Sequence, residues 1–257
     1  MTKKWLLILT AFALLVMSLA FAAKPRTGNS KTDDARKGLF TLVEGSVKKK
    51  QLVDPDWVRA QKNTDVVGGD RVRTLQQSRA EMELAQLDLI RLAPQTTIDV
   101  IKLYEETKEK KIETQIKLKE GDIWGKVKSV DANSNFEVSS DFAGAAITGT
   151  VFRLHHDSSG QETQLKVYTG EVKISNVPEK MGTMEPRTIQ PAERRQVEGP
   201  KEVPGPKEIT LDEWVYLVRN MQQITVGSNG KIKSVGTFKR NDRDEQRDDH
   251  GSVEANA

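Results

Sequence analysis

From Leu39 to Ile174 apolar and polar residues alternate in short runs broken by turn residues, the pattern of half-buried strands. Between Arg79 and Val100 the apolar pairs Met82/Leu84, Ile90/Leu92 and Ile98/Val100 recur every eight residues, with breaks near Gln86-Leu87-Asp88 and Pro94-Gln95-Thr96. Strands this short and evenly spaced either pair in succession as a meander or stack as the coils of a solenoid, and spacing alone does not choose. Val66-Val67-Gly68-Gly69-Asp70 interrupts one strand, its glycines supplying the positive-φ positions of a tight turn. Ile116 to Val130 resumes the β pattern around Trp124, followed by Phe136 and Val138.

The densest β signal is the pair Phe142–Leu154 and Leu165–Ile174. Phe152, Leu154, Leu165, Val167, Val172 and Ile174 alternate with polar positions, while Ala143, Gly144, Ala145, Ala146 and Gly149 let backbones approach closely. Asp157-Ser158-Ser159-Gly160 closes this hairpin, with Gly160 suited to a left-handed position. Glu105–Glu113 is a mixed-charge stretch and reads as a solvated loop or a short helix with i,i+4 pairs.

Beyond residue 177 the pattern changes. Six of the nine prolines fall between Pro178 and Pro206, so residues 178–208 read as a semi-extended linker. Structure is expected to restart over 209–238 as a short helix plus a hairpin. Thr210-Leu-Asp-Glu213 fits a capping box, Ile209 and Trp214 a hydrophobic staple. Leu211, Trp214, Val215, Val218 and Met221 share one helical face. A helix this short is marginal alone and should dock on the β domain through Trp214. Ile224–Val226 and Lys231–Lys233 form the hairpin across Gly227–Gly230, and the charged tail 239–257 reads as disordered.

At the other end, Lys3 and Lys4 precede an uncharged apolar run, Trp5–Phe21, closed by Ala20-Phe21-Ala22. Residues 1–22 thus read as a secretory signal peptide with the mature chain starting at Ala23, and 23–38 as a disordered lead. The alternative is an uncleaved anchor, since the run is about as long as the shortest membrane-spanning helices. The expected location is the periplasm or cell envelope. Without Lys3 and Lys4, 38 basic residues face 37 acidic ones, which gives no electrostatic case for nucleic acid. The absence of cysteine excludes disulfides, thiolate chemistry, cysteine-ligated zinc and a lipoprotein anchor.

Several segments in fixed order resemble the FecR-like domain over residues 39–175. They are Leu42–Val47, Gly69–Thr74, Ser78–Leu84, Ile90–Leu92, Thr97–Val100, Leu118–Ile123, Phe136–Val138, Thr148–Phe152 and Val167–Val172. The resemblance implies an extracytoplasmic, twisted, solenoid-like β fold. In it Gly149 sits where no Cβ fits, Phe152 points into the core and Gly170 bends its strand. The best-known members of the family are transmembrane regulators with a cytoplasmic anti-sigma segment. Here only Met1–Lys4 precede the apolar run, so the expectation is a fold and a compartment without that segment.

Reactive constellations are sparse. His155 and His156 adjoin each other and face opposite sides of a strand, so they read as a solvated hairpin end and not a metal pair. No HExxH, Gly-x-Ser-x-Gly, P-loop or dinucleotide glycine pattern occurs. Asp54, Asp56, Glu81, Glu83, Glu120 and Asp122 read as solvated surface. The expectation is an all-β, non-enzymatic binding or scaffolding module without cofactor or metal. Its partner would be another envelope protein; the alternatives are a polysaccharide- or peptidoglycan-binding module and a periplasmic signalling component with an uncleaved N-terminal anchor, the one way a membrane would enter. Three aromatics are the candidate binding positions: Trp214, Trp57 and Trp124. Trp57 and Trp124 read first as core and second as sugar platforms, Trp214 first as the anchor of the appendage.

Overall fold

A computed structural model describes residues 37–84, 88–103, 112–128, 134–189 and 213–240. Their strands join one continuous hydrogen-bonded sheet folded over into two layers. The first layer runs in the order β4 (Asp65–Val66), β1 (Gly38–Glu44), β6 (Arg79–Glu83) and β7 (Leu89–Leu92). It continues through the second half of β9 (Ile112–Lys126), the second half of β11 (Gly144–Asp157) and the first half of β12 (Glu162–Ser175). β15 (Gln222–Gly227) and β16 (Ile232–Thr237) complete it.

The second layer starts at β3 (Val58–Arg59), β2 (Val47–Gln51), β5 (Asp70–Thr74) and β8 (Thr97–Leu103). The first half of β9, then β10 (Ser134–Ser139), the first half of β11 and the second half of β12 follow. β14 (Val215–Arg219) and β13 (Arg187–Thr188) close that layer. All ladders are antiparallel except β9–β10 and β13–β14.

The corners between layers share one backbone device. A residue with positive φ stands where the chain passes from one layer to the other: Gly45, Gln77, Gln95, Gly121, Gly149, Gly170 and Met221. The long strands β9, β11 and β12 change layers in mid-strand at Gly121, Gly149 and Gly170. Gly121 has φ of +97°, and a Cβ there would lie 2.7 Å from the Thr96 backbone. At Gly170, with φ of +91°, it would lie 2.7 Å from the Gly149 carbonyl oxygen. Left-handed backbone and missing space both demand glycine. The eight-residue spacing has two causes. β6 and β7 form an in-layer hairpin, whereas β7 to β8 turns a corner at Gln95. Meander pairing and solenoid-like coiling thus coexist.

Inward side chains of both layers form one apolar cluster. Phe40, Met82, Ile90, Phe152 and Val167 come from the first layer, and Val72, Ile98, Ile116, Val138, Ile174 and Val218 from the second. Full burial of each larger side chain stabilises the fold by about 1.5–3 kcal/mol. Phe152, fully buried, lies over Gly125 of the neighbouring strand.

The C-terminal appendage departs from the expected helix. Residues 215–219 are a strand hydrogen-bonded to β12, and Ile224–Val226 pairs with β16 as the hairpin reading required. Trp214, Val215, Leu217 and Val218 are buried, so both faces of this segment meet protein. A doubly buried strand that ends in a turn mimics the i, i+3, i+4, i+7 spacing of a helical face. Thr210, Leu211 and Asp212 of the capping box lie outside the described residues, and the Glu213 carboxylate accepts from Lys180 Nζ at 2.7 and 2.6 Å.

Part of the proline-rich segment also packs on the sheet. Pro178–Lys180 is one 3-10 turn, β13 pairs with β14, and Ile189 is buried; 190–212 lie outside the described residues. Of the mixed-charge stretch, residues 112 and 113 open β9. In the 158–161 turn Gln161, not Gly160, holds the positive φ, while Asp157 Oδ1 accepts from the Gly160 amide at 2.7 Å. Among the described residues no helix is long and apolar enough to cross a membrane. Residues 1–36 and 241–257, including the expected signal segment and tail, lie outside the description.

Candidate binding surfaces

The three tryptophans occupy three different settings. Trp124 lies on the outer side of the first layer, in a cross-strand row with Arg91 and Arg153. It is only 7% exposed because the Arg91 guanidinium stacks 4.8 Å from its ring centre. Arg91 Nε donates to Glu81 at 2.6 Å, whose other oxygen accepts from Thr41 at 2.7 Å. Arg153 Nε donates to Asp122 at 2.9 Å. Trp124 is thus buried as expected, but beneath a polar lattice and not in the main core. No open ring face remains for a sugar.

Trp214 is fully in the core, 2% exposed. Its Nε1 donates to the Gly230 carbonyl at 2.8 Å, its amide donates to Asn176 Oδ1 at 3.1 Å, and its carbonyl accepts from Ser175 Oγ at 2.7 Å. Tyr216 meets the ring edge-on at 5.6 Å. It anchors the appendage, though as the residue before a strand.

Trp57 is neither core nor bare platform. Half-buried on the outer side of the second layer, it carries the Arg73 guanidinium at 4.8 Å and Lys50 Nζ at 5.6 Å from its ring centre. Strand alternation sets the surroundings. On β2 Val47 and Lys49 face inward while Lys48 and Lys50 face outward; on β5 Asp70 and Val72 face inward while Arg71 and Arg73 face outward. The inward polar pair is closed by Asp70, fully buried, which accepts from Lys49 Nζ at 2.9 Å, Gln51 Nε2 at 2.5 Å and the Val67 amide at 2.9 Å. This explains Asp70 as the lock of the Gly68-Gly69 turn. Outside, Arg71 forms a bidentate pair with Asp99 at 2.5 and 2.7 Å, which raises its pKa further above the usual arginine value.

A second polar cluster surrounds His156, which is fully buried and not part of a solvated hairpin end. Its Nδ1 is 2.9 Å from Thr163 Oγ1, which is 2.8 Å from Ser140 Oγ, and Phe142 packs edge-on at 5.0 Å. Thr163 stands between serine and imidazole, so His156 is not placed to activate Ser140 as a nucleophile. Nε2 has no hydrogen-bond partner and lies 4.0 Å from Asp141. Burial lowers the His156 pKa, opposed by Asp141 and Glu120. Partial burial pushes the Asp141 carboxyl up, but Lys117 and Lys119, both at 2.9 Å, outweigh it and hold the carboxyl below its ordinary value. Among the described residues no group of three His, Asp or Glu side chains is arranged to hold a metal ion.

A family model described as FecR protein matches residues 70–173, the segment from β5 to the second half of β12. The chain therefore carries a FecR-like domain. Two crystal structures of a proposed anti-sigma factor from Parabacteroides distasonis ATCC 8503 resemble it, at 15% and 14% identity and TM-scores of 0.43 and 0.44. Each alignment covers 66% of this chain and 60% of the other, so the chain spans about three fifths of that protein's length. Comparison with curated proteins gives no match.

Proposed function

We propose that this protein is a non-enzymatic binding or scaffolding module of the cell envelope whose partner is another envelope protein. One observation carries the reading: the open edge of β16. Ile232–Thr237 pairs with β15 along one side, and among the described residues no strand covers the other. Most of the strand is exposed, Val235 at 45%. A six-residue open edge offers unpaired backbone amides and carbonyls to a partner strand. The alternative glycan reading required an open tryptophan face. Trp124 lies under Arg91 and Trp57 carries Arg73 and Lys50, so neither ring supports it.

A photo-crosslinker at Ser234 tests the reading in the native envelope. The expected result is one discrete protein adduct, lost in Val235→Lys, where a charge on the edge disfavours strand addition. Adducts unchanged by Val235→Lys, or absent altogether, refute the β16 contact.

A further inference from the structure

In sequence, the exposed large apolar side chains concentrate in the N-terminal part of the described residues. Leu39, Leu42, Leu52, Val53, Val58 and Leu75 all fall between residues 39 and 75, leaving only Ile101 and Val235 elsewhere among the described residues. The β2–β3 loop is the sharpest case. Val53 is 90% exposed, with Leu52 beside it in sequence and half-buried Trp57 and exposed Val58 at the loop's far end.

This apolar tip adjoins a grid of cations. Arg59, Lys48 and Arg73 stand directly opposite one another across β3, β2 and β5, and Lys50 stands opposite Arg71 in the next outward row. Like charges in direct cross-strand register destabilise a sheet. Asp99 relieves Arg71, while Trp57 and Thr97 hold Arg73. Among the described residues Lys48 and Arg59 have no acidic partner, and both are exposed. A row that works against its own strand pairing points to an anionic partner outside the fold.

We propose that this end of the domain docks on an anionic lipid bilayer. Leu52 and Val53 enter the boundary between headgroups and acyl chains, and Trp57 sits at headgroup level. Lys48, Lys50, Arg59 and Arg73 face the lipid phosphates. An apolar tip flanked by an aromatic and several Lys/Arg is the composition of an interfacial anchor. A soluble polyanion would match the cations but leave Val53 and Leu52 in water. Asp54 and Asp56 share the exposed loop and oppose deep insertion, which keeps the contact at headgroup depth. The inference rests on the envelope location proposed above but is independent of the β16 contact, and it extends membrane contact beyond the N-terminal segment.

The chain has no cysteine, so Val53→Cys in the full chain takes a single environment-sensitive fluorophore. Its emission is read against phosphatidylcholine vesicles with and without phosphatidylglycerol, with a Ser234→Cys label as reference. The expected result is a rise at position 53 only with the anionic vesicles, weakened by salt. Combining Lys48→Glu with Val53→Cys should weaken the apparent vesicle affinity at least about tenfold. Because Lys48→Glu turns a like-charge row into an alternating one, its thermal midpoint should not fall, which separates lost docking from lost folding. Asp54→Asn with Asp56→Asn should strengthen the response. An equal response to neutral vesicles or at position 234 would overturn the proposal. So would full retention after charge reversal, or a response to lipid-free envelope protein but not to vesicles. A negative vesicle result leaves the Ser234 crosslinking result untouched.

Discussion

Gly125 and Phe152 should be energetically coupled, because the ring occupies the space that a side chain at 125 would need. The two residues face each other across β9 and β11, and Gly125 also faces Ile90 of β7. A methyl at position 125 would overlap the Phe152 ring and stand 3.1 Å from Ile90 Cδ1. On backbone grounds alone Gly125→Ala, in mid-strand, would stabilise by roughly 0.5–1 kcal/mol. Overpacking in a closed core costs about 1–3 kcal/mol, so the steric effect wins and a net loss of about 1–2 kcal/mol is expected. Phe152→Leu removes the ring edge at a cost of about 1–2 kcal/mol, below the 3–5 kcal/mol of a full truncation. In the double variant the new methyl enters the space that the ring vacates. The double loss should therefore fall short of the sum of the singles by about 1 kcal/mol or more.

Urea unfolding of the four proteins measures this coupling, provided the m-value stays constant so that shifts in midpoint report stability. Single losses of this size lower the melting temperature by about 2–4 °C per kcal/mol in a domain of roughly 150–250 residues. Additivity within about 0.3–0.5 kcal/mol would refute the packing argument, as would stabilisation by Gly125→Ala alone.

Three further outcomes follow from single side chains. Burial raises the Asp88 pKa to about 6, partly offset by the Lys128 amide that donates to its Oδ1 at 2.9 Å. The folded value exceeds the unfolded one, so this group's contribution is fully favourable below about pH 4 and is lost as pH rises through about 6. The loss amounts to at most about 3 kcal/mol. Asp88→Asn keeps an acceptor for Lys128 and should flatten that limb in denaturant titrations from pH 4 to 7. For His156 the sign reverses: its folded pKa is depressed, so stability present above about 6.5 is lost as pH falls toward the lower folded value. His156→Gln should abolish that loss, most cleanly in the Asp88→Asn background. Trp214→Ala should cost about 3–5 kcal/mol and leave the Gly230 carbonyl without its indole donor. Backbone NMR chemical shifts should report strand over Val215–Val218, whereas helical shifts there would contradict the β14 pairing.

How much of this fold is legible in the sequence depends on how local its cause is. The period-two runs that became β5 to β8, β11 and β12 are local, and so are the Gly68-Gly69 turn and the inward Phe152. Gly149 and Gly170 announce bends, but nothing in the sequence says that the bend carries the strand into the opposite layer. Gln77, Gln95 and Met221 turn equivalent corners without any glycine signal. Their positive φ is imposed by ladders on either side, a tertiary demand that overrides residue preference. The 214–221 segment failed for the same reason. Val215, Tyr216 and Val218 are good strand formers, yet apolar spacing favours a helix unless β12 is known to present an unfilled edge.

The candidate surface was legible only in its parts. Trp57 could be singled out from the sequence, and so could the basic character of Lys48–Lys50, but their meaning lies in register. Arg59 is eleven residues from Lys48, and Arg73 is twenty-five; only pairing through β3, β2 and β5 sets the three cations side by side. In sequence they look like an ordinary solvated surface, and scattered on a surface they would cost nothing. In direct register they oppose the pairing that holds the strands, at roughly 0.2–1 kcal/mol for each unrelieved neighbour. That cost falls on an edge already weakened by the two-residue strand β3. Stability alone would favour an acidic residue at position 48, between two arginines. The lysine found there, beside a loop that exposes Val53, is accounted for by a demand from outside the fold.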